Sequence, residues 1–88
     1  MRYGEFEDAL LGGMVEEADR GSRGQAELKT VAAKIEPQLP EQWVYDAVHN
    51  FKRQGYVSNV SIAMGNGPIV VTVTGAGRRA AERIAARI

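Results

Sequence analysis

The sequence predicts an α+β domain: three helices, then a β-hairpin, then a last helix. Three observations lead there. Apolar residues recur at three- and four-residue spacing through the first half. The period turns from helical to β after Gly55, and two runs rich in β-branched residues follow. Between those runs stands Gly65-Asn66-Gly67-Pro68, a strong hairpin signal. At 88 residues the chain makes one domain, residues 1–88, with a single modest core and no room for a separate catalytic domain.

Phe6, Leu10 and Met14, with Ala9, Leu11, Val15 and Ala18 beside them, place the first helix over about residues 5–19. Gly12-Gly13 weakens it, by about 1 kcal/mol each relative to alanine where solvent-exposed. Residues 20–24, RGSRG, read as a loop. Ala26, Leu28, Val31, Ala32 and Ile35 then give a second helix of about ten residues, stopped at EPQLP because proline disfavours helical geometry in the residue before it. Pro40 suits the first position of a third helix, where a missing N–H costs nothing, and Gly55 provides its left-handed stop. At 100° per residue the core stripe of that helix is Val44, Ala47, Val48 and Phe51. Its opposite face is Gln42, Asp46, His49 and Arg53, all able to hydrogen-bond. Tyr45 and Lys52 flank one side of this face, Trp43 and Asn50 the other.

The strands are expected over residues 57–64, VSNVSIAM, and 69–74, IVVTVT. Thr74 can cap a final helix over residues 75–87, with Ala80, Ala81, Ile84, Ala85 and Ile88 on one stripe. That stripe packs on the first helix, and where it exceeds one partner it can close a symmetric dimer through Ala81, Ile84, Ala85 and Ile88.

Composition narrows the function classes. Cysteine is absent, which removes disulfides, thiolate nucleophiles and cysteine-based zinc sites. A single histidine, His49, rules out a multi-histidine metal site within one chain. No metal or cofactor is expected, and no nucleophile-elbow pattern surrounds Ser22, Ser58 or Ser61, so an enzyme is the weakest reading. The start MRYGEFEDALLGG carries acids where a signal peptide carries a basic region and an apolar block, and no apolar run approaches about 18 residues. A cytoplasmic protein without membrane contact is the expectation. Net charge is zero and the isoelectric point is near 6.6, below the basic values usual for nucleic-acid modules. The charges are nonetheless divided: residues 1–40 hold five Lys/Arg against eight Asp/Glu, and residues 41–88 six against three.

Gly75-x-Gly77-x-x-Ala80 after a strand matches a variant dinucleotide fingerprint. That fingerprint works inside a βαβ unit with an acidic residue about 20 positions onward, whereas eight residues follow Ala80, so no dinucleotide is expected. Arg78 and Arg79 fall in the first turn of the last helix, where the dipole disfavours cations, and a phosphate nearby would relieve the conflict.

VYDAVHNFKRQGYV, residues 44–57, resembles the recognition helix and first wing strand of winged helix-turn-helix regulators of the PadR family. VTVTGAGRRAAERI, residues 71–84, is similar to the same family's second wing strand and following helix, with Thr74 and Gly77-Arg78 at the motif's Thr and Gly-Arg. GSRGQAEL, residues 21–28, departs from the family's Gly-Tyr-Glu-Leu by lacking the tyrosine. The resemblance implies a winged helix-turn-helix, with a three-helix core, a two-stranded β-hairpin wing and a C-terminal helix, and it implies binding to double-stranded DNA. In such a protein Gln42, Asp46, His49 and Arg53 would read base edges. Tyr45, Asn50 and Lys52 would reach phosphates or neighbouring bases, Asn66 at the wing tip a minor groove, and Arg78 and Arg79 phosphates. A wing with no Lys or Arg from residue 54 to 77 anchors weakly, which favours a homodimer. The alternative is a protein–protein interaction or dimerisation module that uses the same fold without DNA.

Overall fold

Phe6, Leu10, Leu11, Met14 and Ala18 are all buried along one face of the first helix, α1, Tyr3–Arg20. The structure is a computed structural model and describes residues 1–21, 23–63 and 67–87. Here α1 begins two residues before its predicted start and ends one after its predicted end. Its glycines do not break it, and Gly13 has a reason to be glycine. A Cβ there would stand 2.7 Å from Val31 Cγ1, so the missing side chain lets the second helix approach closely.

After α1 the chain departs from the predicted helix. Residues Gln25–Glu27 form a short strand, β1, where the sequence had placed the start of a helix. The second helix, α2, is therefore only Leu28–Ile35. Glu27 caps it, its carboxylate accepting from the backbone N–H groups of Lys29 at 2.9 Å and Thr30 at 3.0 Å. The third helix, α3, runs Glu41–Arg53 and buries Val44, Ala47, Val48 and Phe51, the stripe its periodicity predicts. Pro40 is its cap rather than its first residue. Gly55 sits at φ +76°, a conformation that favours glycine, and turns the chain into the sheet.

The hairpin strands are β2, Val57–Ile62, and β3, Ile69–Val73. Among the described residues the sheet has three strands, not the two expected, in the order β1-β3-β2 with both pairings antiparallel. Ala26 lies opposite Val71, and Val57 opposite Val73. An irregularity between Ser58 and Ser61 interrupts the second pairing, and Asn59 within it has φ +49°. The central strand alternates strictly, with Ile69, Val71 and Val73 buried against the helices. The last helix, α4, spans Gly75–Ala86. Thr74 caps it as its sequence predicts, Oγ1 accepting from the Gly77 N–H at 3.1 Å and donating to the Gly55 carbonyl at 2.6 Å.

The described residues form an α+β fold of four helices and a three-stranded antiparallel sheet, with one core shared by α1, α2, α3, the inner face of β3, Ala26 of β1, Val57 of β2 and Ala80 of α4. No described helix is long and apolar enough to cross a membrane.

Candidate nucleic-acid interface

The amphipathic period that buries Val44 and Phe51 turns the opposite side of α3 outward, and Gln42, Asp46, His49, Lys52 and Arg53 are all exposed there. These five predicted contact residues form one continuous surface. Within it Gln42 Nε2 donates to Asp46 Oδ1 at 3.0 Å, one helical turn apart. At the beginning of α3, Glu41 is engaged by Lys29 of α2, with Nζ 2.8 Å from Oε1. The hydrogen bond to Glu41 raises the Lys29 pKa above its ordinary value. Asp46 has no cationic partner among the described residues.

Three predicted contacts are occupied within the fold. Asn50 is half-buried and faces α1, its Nδ2 donating to Tyr3 Oη at 3.3 Å and Glu7 Oε2 at 3.1 Å. Its carbonyl oxygen accepts from Arg53 Nη2 at 3.3 Å, so Arg53 is steadied by a residue that is itself held by α1. Tyr45 is half-buried, with Lys29 Nζ 5.9 Å from its ring centroid. Arg78 pairs with Asp19 of α1. That carboxylate relieves the dipole conflict for which the sequence had suggested a phosphate. Arg79, by contrast, is exposed. Asn66, predicted at the wing tip, and Ile88, predicted in the dimer stripe, lie outside the described residues.

Lys29 was not among the sequence candidates, yet it stands where α2 meets the start of α3. Its partners Glu41 and Tyr45 are 12 and 16 positions away, beyond any helical spacing. Trp43 packs on Tyr3 and Phe6, with centroids 5.5 and 5.8 Å apart, and so braces α3 from behind rather than facing outward.

On a different face, the predicted dimer stripe lines a groove of about 480 Å³ between α1 and α4. Ala81, Ile84 and Ala85 line one wall, Ala9 and Gly12 the other, and Glu5, Asp8 and Arg87 stand at the rim. Ala81 and Ile84 are half-buried and Ala85 exposed, so packing on α1 leaves part of the stripe uncovered.

In comparisons with known proteins, no family model, no curated protein and no solved structure matches this chain.

Proposed function

We propose that the chain is a winged helix-turn-helix DNA-binding regulator of the PadR kind, acting in the cytoplasm without a cofactor. In this reading α3 lies in the major groove and the β2–β3 hairpin follows flanking DNA as the wing. The observation that carries it is the outer face of α3, where Gln42, Asp46, His49, Lys52 and Arg53 are exposed side by side. All five have groups that bond base edges or phosphates. The connectivity supports the same reading, since α2 and α3 are consecutive and the hairpin follows α3 directly.

Zero net charge makes the sequence-independent attraction to DNA weak. A homodimer spanning two half-sites compensates, because the second contact becomes intramolecular. The α1–α4 groove, with Ala81, Ile84 and Ala85 in its wall, is the proposed contact between copies. This groove also favours a second reading, in which the domain is a protein-interaction module and binds no DNA.

Titrating the isotope-labelled domain with a pool of short random duplexes, followed by two-dimensional NMR at low and then moderate salt, separates the two. Shifts clustered on residues 42–53 and 78–79 that fade as salt rises are expected for DNA binding. A spectrum that does not move refutes it and leaves the interaction module.

A further inference from the structure

The Gln42–Asp46 hydrogen bond fixes the polarity of the α3 surface. A carboxylate only accepts, so the Gln42 amide can have only one orientation, with nitrogen toward Asp46 and Oε1 away from it. Gln42 Oε1 and Asp46 Oδ2 are left without hydrogen-bond partners among the described residues, and both are acceptors. The two residues are four apart, about 6 Å along the helix axis. They occupy the N-terminal half of α3, the part of a recognition helix that meets base edges. Gln42 Nε2 keeps a second N–H beside these acceptors, and the cations Lys52 and Arg53 lie farther along, so the helix face carries its carboxylate before its cations.

Resting on the DNA-binding reading above, we propose that Asp46, positioned by Gln42, selects one orientation of a base pair by the amino group at its major-groove edge. Adenine N6 and cytosine N4 are donors in the major groove, while thymine O4 and guanine O6 are acceptors. An acceptor-only carboxylate bonds the first two and meets the second two oxygen against oxygen. On the strand facing Asp46 the position is therefore degenerate for adenine and cytosine. Exchanging A·T for C·G is tolerated, whereas inverting either pair to T·A or G·C is not. Asp46 also repels phosphates when the amino group is missing, so it lowers binding to unmatched DNA as well as favouring the matched site.

The test is selection from a random duplex pool, with the selected sites sequenced, followed by anisotropy competition using duplexes altered at one position. Wild type is expected to yield sites with one position restricted to adenine or cytosine on one strand, and inverting that pair should weaken binding about tenfold. Asp46→Asn supplies a donor beside the remaining acceptor and keeps the helix face polar. It should bring the four pairs to within about twofold of one another at that position alone, while binding the unselected pool more tightly than wild type. An unchanged preference in Asp46→Asn, with selected sites otherwise intact, overturns the role of Asp46 and leaves DNA binding standing. No binding of any duplex by wild type at low salt overturns both.

Discussion

The Glu27 carboxylate accepts a 2.9 Å hydrogen bond from the backbone N–H of Ile69, 42 residues away, while also capping α2. One side chain thus ties the first turn of a helix to the central strand. Burial pushes the Glu27 pKa up. The Thr30 hydroxyl and the backbone N–H groups of Ile69, Lys29 and Thr30 outweigh that, and hold it below the ordinary glutamate value. Because the folded pKa is depressed, the contribution is present above the unfolded value and lost as pH falls through the folded one. Glu27→Ala should cost about 2 kcal/mol at neutral pH and lower Tm by roughly 10 °C. Urea denaturation down to acid pH should show the gap between wild type and variant closing; a gap that is constant with pH would mean the charge contributes nothing.

Gly77 meets a different constraint. A Cβ there would collide with the backbone carbonyl oxygen of Tyr56, which also accepts from the Thr74 N–H at 3.0 Å. The obstacle is main chain and cannot swing aside, so Gly77→Ala should destabilise by about 1–3 kcal/mol. At Gly75 the nearest atom to an added Cβ is Arg79 Nη1, 3.3 Å away at the end of a flexible side chain. Gly75→Ala should therefore be neutral or stabilising by up to about 1 kcal/mol. Thermal melts of the two variants decide it. Equal melting temperatures would refute the close-approach account of the Gly-x-Gly pattern.

Tyr3 links α1 to α3 and carries an alkaline signature. Burial first, then the hydrogen bond and charge of Glu7, push its phenol from 10.0 up to about 12. The folded state holds this proton more tightly than the unfolded state, so the stabilisation is complete below the unfolded pKa of about 10 and lost as pH rises toward about 12. Tyr3→Phe should remove that part of the alkaline loss of stability. It should also remove a phenolate absorbance step near pH 12; a step that persists in the variant would assign it to another tyrosine.

What could be read from sequence was what repeats with a period. The buried stripe of α3 and the alternation of β3 follow from residue spacing alone, and the Thr74 cap from a side chain beside its own helix. The strand β1 was missed because three residues, Gln25–Glu27, are too few to show a period, and because the Ala26, Leu28 and Val31 spacing continues a helical pattern into it. Its pairing with β3 decides the matter, and that partner is more than 40 positions away. The candidate site divides the same way. The exposure of Gln42, Asp46, His49 and Arg53 follows from helical geometry. The diversion of Asn50 to Tyr3 and Glu7, and of Arg78 to Asp19, depends on contacts made only when α1 folds back onto α3 and α4.

Arg53 and Arg79 are both exposed, and DNA should distinguish them. Arg53 belongs to the α3 surface and is steadied through Asn50, and under the proposed DNA-binding function it would bond guanine bidentately. Arg79, exposed near the start of α4, would under the same proposal contact a phosphate. In binding measurements on selected duplexes, Arg53→Ala should cost about 1–3 kcal/mol for the preferred site and flatten the preference at one base pair. Arg79→Ala should weaken all duplexes by a similar factor and reduce the slope of log affinity against log salt by about one. If Arg53→Ala leaves the ranking of duplexes unchanged, α3 is not the reading helix. If both variants also bind random duplexes as wild type does, the charged surface serves no nucleic acid and the α1–α4 groove becomes the functional face.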